Sequence, residues 1–264
     1  MQRRDFLATS LATSALALSR EGAAQTAPAH GREFYLIRRY NMVTGPQTKL
    51  TESYLGDALI PALGRAGMGP VGAMRLDYGP ETPAYYALIP ATSAEALATL
   101  ALNLAQDAAY MKAAEPFWSA PAIAPAFQRA DGTLLVAFEG WPKLITPALN
   151  GLKGKRMFQL RTYESPSFAA HVRKVEMFNS GEFEIFKNAG CRPVFFGDTL
   201  VGSRMPSLTY MLSFAGSQEM DAGWDAFRND PAWKKLSGSP RYNYEAIVSN
   251  ITNLTLSPLD CSQI

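Results

Sequence analysis

The feature that most constrains the fold of this chain is an internal repeat. Arg38 and Arg161 lie 123 positions apart, as do Tyr40 and Tyr163. The same spacing joins Gly67 to Gly190, Pro70 to Pro193, Val71 to Val194 and Gly79 to Gly202. It also joins Asp107 to Asp230, Tyr110 to Trp233 and Lys112 to Lys235. One spacing held across arginine, glycine, proline, aspartate and aromatic pairs marks two copies of one unit, each able to cover the other's apolar surface. The copies read as residues 31–142 and 154–258, joined by a Pro- and Gly-bearing linker at 143–153 and followed by a tail at 259–264.

Each copy shows the same order of elements. Arg32 to Tyr40 and Arg156 to Tyr163 alternate and carry β-favouring residues, which predicts opening strands. In the second copy Ser165-Pro166 reads as an N-cap with proline at the first helical position, and Gly190 reads as the stop. Phe168, Val172, Val175 and Phe178 are spaced for that helix's buried stripe, and Gly181 is placed to bend it. In the first copy the helix is expected over Lys49 to Ala66, with Pro61 as a kink. Two strands follow in each copy (Val71 to Tyr78 and Ala84 to Ile89; Val194 to Val201 and Leu208 to Phe214). A second helix comes next (Ala94 to Leu104; Gln218 to Phe227), then a short helix capped by Asp107 or Asp230. A fourth strand closes each copy (Leu134 to Glu139; Ala246 to Ile251). This β-α-β-β-α-β order is the ferredoxin-like unit, an α+β arrangement with one sheet face under helices. Two tandem units can bury their other faces together as a barrel.

The second copy resembles the NIPSNAP family. The resemblance is carried by Gln159-Leu160-Arg161-Thr162-Tyr163-Glu164-Ser165-Pro166, by Arg192-Pro193-Val194-Phe195-Phe196-Gly197-Asp198-Thr199-Leu200 and by Leu208-Thr209-Tyr210-Met211-Leu212. It ends in the segment from Trp224 through Asp230-Pro231-Ala232-Trp233 to Leu236. The first copy is a divergent relative, with Ala108 in place of Pro231 and Gly72-Ala73-Met74 in place of Phe-Phe-Gly. The resemblance implies the dimeric α/β-barrel fold, built here largely within one chain. It implies no reaction, although families sharing the barrel include cofactor-free monooxygenases and haem enzymes.

The first thirty residues read as an address rather than as fold. Arg3-Arg4 with Phe6-Leu7, a short apolar run to Leu18 and a small-residue exit resemble a twin-arginine export signal. Cleavage is expected after Ala24 or Ala29, which places the mature protein in the periplasm or outside the cell after passage through the twin-arginine translocase. No later run is long and apolar enough for a transmembrane helix.

Composition narrows the partners. With 47% hydrophobic and 18% charged residues the chain is not disordered, and a net charge of +2 gives no footprint for nucleic acid. Two cysteines, Cys191 and Cys261, read as free thiols and exclude a four-thiolate metal site.

Strand alternation sets Tyr35 and Ile37 on one face and Leu36, Arg38 and Tyr40 on the other. In the second copy it sets Phe158 and Leu160 against Gln159, Arg161 and Tyr163. The Arg/Tyr face is expected to look into the barrel lumen, where two guanidiniums and two phenols could hold an anionic or carbonyl-bearing small molecule. The plainer alternative pairs each arginine with a carboxylate such as Glu139 or Glu245. His171 is the one histidine of the mature fold able to serve as a haem ligand, since His30 falls in the leader. A lone histidine on a helix stripe is more often a core residue, so no cofactor and no metal site are expected.

The leading functional expectation is binding of a small molecule or partner by the barrel, without catalysis. The alternatives are an enzyme acting in the lumen (a cofactor-free or haem-dependent oxygenase, or an isomerase) and a homo-oligomeric assembly protein.

Overall fold

The computed structural model describes residues 31–43, 45–148 and 156–264. The export-signal residues Arg3, Arg4, Phe6 and Leu7, both cleavage positions, His30 and the linker residues 149–153 lie outside the described residues.

Eight strands form one closed barrel: β1 (Phe34–Asn41), β2 (Gly72–Tyr78), β3 (Ala84–Ala91), β4 (Arg129–Ala137), β5 (Met157–Glu164), β6 (Arg192–Val201), β7 (Ser207–Phe214) and β8 (Asn250–Pro258). Their order around the barrel is β1-β3-β2-β8-β5-β7-β6-β4, and every pairing is antiparallel. Four strands from each half of the chain therefore run in the order fourth-first-third-second, and the halves meet at β2·β8 and β4·β6. Closure leaves no unpaired strand edge. Among the described residues no helix is long and apolar enough to cross a membrane.

Every residue of β3 and of β7 is buried. A strand in that position has the barrel lumen on one face and helices on the other, so both faces are mostly apolar, and the buried hydroxyls of Ser207 and Thr209 are bonded to Thr199 and Thr162 at 3.0 and 2.9 Å. The lumen is a packed core in which Tyr35, Ile37, Phe158, Leu160, Phe195 and Leu256 meet side chains from every other strand, joined by Ile264. Leu36 and Tyr40 lie on the opposite side, under the first half's helices, and Tyr163 and Tyr210 lie under those of the second half.

The helix after β1 is α1 (Gly45–Ser53), a π-helical turn (Tyr54–Leu59) and α2 (Ile60–Arg65). Pro61 sits in the first turn of α2, directly after the π-helical turn, where the Ile60 N–H bonds back to the Leu55 carbonyl. After β3 come α3 (Ala94–Ala98), α4 (Leu100–Leu104) and α5 (Ala108–Trp118). The second half repeats the device with α6 (Phe168–Met177), a π-helical turn (Phe178–Glu182) and α7 (Phe183–Asn188). It continues with α8 (Ser217–Asn229), α9 (Pro231–Ser237) and the short α10 (Tyr244–Ile247). Asp107 and Asp230 are the N-caps of α5 and α9, accepting from Tyr110 N at 3.0 Å and from Ala232 N at 2.7 Å.

Three local expectations are corrected. The N-cap of α6 is Ser167, whose hydroxyl accepts from Ala170 N at 3.1 Å, and Ser165-Pro166 precede the helix. Its buried face carries His171, Lys174 and Met177, whereas Phe168 and Val172 are 68% and 64% exposed. Polar side chains hold the inner face because each finds a partner there. The last strand runs over Asn250–Pro258, and the segment read as its start is α10.

Candidate functional site

On the helix side of β5 the alternation puts Gln159, Arg161 and Tyr163 in a row, all in the wall of one cleft. The cleft is about 640 Å³ and opens between the sheet and α8–α10, with Trp224, Phe227, Trp233, Tyr244 and Glu182 in its lining. The volume falls in the range of small-molecule sites. Trp224 anchors it: its indole N–H donates to Gln159 Oε1 at 2.8 Å, and its ring lies under the Arg161 guanidinium at 4.3 Å. Arg161 Nη2 donates to the Tyr163 phenol at 3.0 Å, and that phenol lies 3.0 Å from the phenol of Tyr210.

Arg161 makes no ion pair among the described residues, and its buried Nε has no hydrogen-bond partner. Neither Glu139 nor Glu245 is its counter-ion. Burial works against the guanidinium's charge, but the surrounding phenols of Tyr210, Tyr163 and Tyr244 work for it, and the net effect raises its proton affinity. A permanently charged planar donor, flat on an indole, is matched to a carboxylate or carbonyl oxygen. At the rim Asp225 is paired with Arg228, and Asp221 adds a further negative charge, which disfavours polyanions.

Beneath this row lies a buried ion pair, Lys174 Nζ to Glu182 Oε2 at 2.9 Å, with Lys174 also 4.3 Å from the Phe178 ring centre. Eight residues of regular α-helix would separate the two by about 12 Å of rise. The π-helical turn and Gly181, at φ 132° where only glycine is at ease, fold the chain so that they meet. Burial raises the proton affinity of Glu182, and Lys174 opposes that shift.

The lumen expectation for Arg38, Tyr40, Gln159, Arg161 and Tyr163 is thus reversed: all five lie on the helix side. The middle of this closed eight-stranded barrel is filled by close-packed apolar side chains, with hydroxyls at one end, while a gap between helices can hold a partly buried guanidinium. Nor do the two arginines share a site. Arg38 and Tyr40 line a separate cleft of about 360 Å³ on the first half.

His171 is buried, with Nε2 2.6 Å from Asp198 Oδ1 and Nδ1 enclosed without a partner. It lines none of these clefts, so its surroundings do not fit an axial haem ligand. Among the described residues no three His, Cys, Asp or Glu side chains are placed to hold a metal ion. Cys191 and Cys261 are free thiols, and burial pushes Cys191 up to about 11.

The Lys174–Glu182 pair was not foreseen. Its eight-residue spacing matches no helix-surface pair, and Gly181 between them was the only cue.

The fold is a closed eight-stranded α/β barrel. Solved structures of similar architecture include a provisionally assigned monooxygenase from Lactobacillus acidophilus NCFM, at 10% identity and TM-score 0.56, covering 86% of this chain and 94% of that one. Another, from Fusobacterium nucleatum, has 10% identity and TM-score 0.55 over 88% and 94% of the two chains. Residues 158–263, in the C-terminal half, match the NIPSNAP family model. An uncharacterised NIPSNAP-like protein from Burkholderia xenovorans aligns at 14% identity and TM-score 0.36, over 40% of this chain and 87% of its own. No curated protein matches the sequence.

Proposed function

We propose that the cleft of the NIPSNAP domain binds a small aromatic acid, its carboxylate taken by Arg161 and its ring laid among Trp224, Phe227, Trp233 and Tyr244. The observation that carries this reading is the Arg161 guanidinium in the wall of a 640 Å³ cleft, stacked at 4.3 Å on Trp224 and in no ion pair among the described residues, the nearby Glu182 carboxylate being bonded to Lys174. Structural arginines are ordinarily closed by a carboxylate; one held in place by phenols and an indole keeps its charge available for a ligand. The two halves are read as tandem copies of one unit, and the leader as a twin-arginine signal that delivers the folded protein to the periplasm or beyond. Binding in this reading needs no cofactor, and self-association into a homo-oligomer is a separate expectation checked by native mass.

Calorimetric titration with 1-naphthoate, and with its uncharged analogue 1-naphthalenemethanol, tests the reading. The acid is expected to bind well ahead of the alcohol, and Arg161→Met to weaken the acid at this cleft at least about tenfold, the loss of one charge-assisted contact. Equal binding of acid and alcohol, or an unchanged Arg161→Met, would remove the reading.

A catalytic version would use the same cleft, because Glu182 lines it and burial raises its affinity for a proton. Exchange of the methylene protons of bound phenylpyruvate with deuterated water, lost in Glu182→Gln, would establish proton abstraction beside the carbonyl, the first step of an isomerase-type reaction. Exchange no faster than in buffer leaves binding alone.

A further inference from the structure

We propose that the first half of the barrel holds a second, independent site for a planar aromatic monocarboxylate, centred on Arg38. Arg38 stands on the helix side of β1 between Leu36 and Tyr40, half-buried, and among the described residues it makes neither a hydrogen bond nor an ion pair. The cleft it lines, about 360 Å³, is walled by Tyr40, Tyr54, Phe117, Trp118 and Phe127.

Those walls are set before any ligand arrives. Tyr54 and Phe117 are stacked, with ring centres 3.8 Å apart and planes 7° from parallel. Tyr40 meets Phe117 edge-on at 5.8 Å, and Phe127 lies 5.4 Å from the same ring. The Tyr54 phenol is held 3.0 Å from that of Tyr110. A preset aromatic wall loses little freedom when a flat ring lies against it, and an unpaired guanidinium at its edge takes both oxygens of one carboxylate.

The charge count limits the ligand further. The one carboxylate in the lining, Asp131, is committed to Arg39 at 2.6 Å and to Arg129 at 3.4 Å, so it does not neutralise Arg38. It does repel a second negative group. A single available cation beside a bound anion selects a monoanion and rejects a phosphate or dicarboxylate.

The site also differs from the Arg161 cleft in a way that makes it separable. Position 101 holds Ala, whereas Trp224, 123 residues later, covers Arg161. Arg38 therefore carries no indole lid, and Trp118 is the tryptophan that reports on its cleft.

The test is calorimetry of the full chain with 1-naphthoate, repeated in Arg38→Met, Arg161→Met and Ala101→Trp. Ala101 is exposed, so the added indole fills the cleft without entering the core. The unaltered protein is expected to bind two equivalents. Arg38→Met and Ala101→Trp should each leave one, and quenching of Trp118 fluorescence by naphthoate should disappear with the first-half site. Retention of two equivalents in both variants, or a single equivalent lost only in Arg161→Met, overturns the proposal while leaving the Arg161 reading intact. Loss of naphthoate binding in Arg38→Met and Ala101→Trp but not in Arg161→Met supports this site and removes the other.

Discussion

The two halves of the barrel place their charges in opposite layers. The second half buries an ion pair beneath its helices, Lys174 with Glu182, and lines its end of the lumen with hydroxyls, Thr162 meeting Thr209 at 2.9 Å. Positions 123 residues earlier show the reverse. Thr51 and Leu59 stand where Lys174 and Glu182 would fall, both fully buried, while Arg39 and Tyr86 stand where Thr162 and Thr209 would fall. At the mouth Arg39 joins Asp131, Glu81 and Arg129 in a network of ion pairs at 2.6–3.4 Å. The strands and the π-helical turn therefore do not require the buried pair, since the first half builds the same turn over the uncharged Thr51 and Leu59. What the pair adds is a polar frame under one cleft, and that frame separates a guanidinium held by Tyr163, Tyr210 and Trp224 from one standing free.

Removing the pair is expected to have the largest effect. Lys174→Met alone or Glu182→Leu alone leaves one charge buried without its partner, and each is expected to cost about 3–5 kcal/mol of stability. The double variant, which gives the second half an apolar base like the first, should recover most of that loss. Denaturant unfolding of the four proteins measures the coupling directly. If the double variant is as unstable as the sum of the singles, the pair is not a self-contained unit and the first half is no guide to what can replace it.

The fold class was legible in the chain because each half carries the same order of strand, turn and cap signals. Strands, turns and caps recur at matching places, and Asp107 and Asp230 act as the caps their positions suggest. The direction in which Arg38 and Arg161 point was not legible. β3 and β7 are buried on both faces, so an alternating pattern separates two faces without telling which is inside. Apolar Phe158 and Leu160 fit the lumen as well as they would fit a helix. The site row Gln159, Arg161 and Tyr163 was assembled correctly as a row and assigned to the wrong side. The same blindness affected α6, where Phe168 and Val172 gave an apolar stripe but the inner face goes to residues with charged partners, His171 beside Asp198 and Lys174 beside Glu182.

Each half also has a bridge of two phenols. Among the described residues the Tyr54 phenol is hydrogen-bonded to Tyr110 alone, whereas that of Tyr163 lies between Arg161 and Tyr210. Tyr54→Phe removes one hydrogen bond, an expected loss of about 1 kcal/mol, and Tyr163→Phe removes two, one of them from a cation, an expected loss of about 2–3 kcal/mol. Thermal unfolding ranks them. Equal losses would mean that Arg161 gains nothing from the phenol, and the polar frame would not be what holds it.

The smallest effect, and the one most specific to the contrast, is in the pH dependence. In the first half Asp131 is desolvated, but the hydrogen bonds from Arg39 and Arg129 outweigh that and hold its proton affinity below the ordinary 3.8. Such a group stabilises the fold above its ordinary value, and that contribution is lost as the pH falls through the lowered one. In the second half burial raises Glu182 above the ordinary 4.5. There the folded chain keeps a proton that the unfolded chain has released, so stability falls as the pH rises from 4.5 towards the raised value. The halves should therefore lose stability at opposite ends of the acid range. Asp131→Asn is expected to flatten the loss below 3.8 only. Lys174→Met/Glu182→Leu should flatten the loss above 4.5 only. Salt divides them again, because the mouth network is partly exposed and screened while the buried pair is not. Unfolding curves across this range, at low and high ionic strength, should show the acid-side slope shrinking with salt and the other unmoved. If both slopes respond alike to salt, the charges of the two halves share one environment and the contrast between them fails.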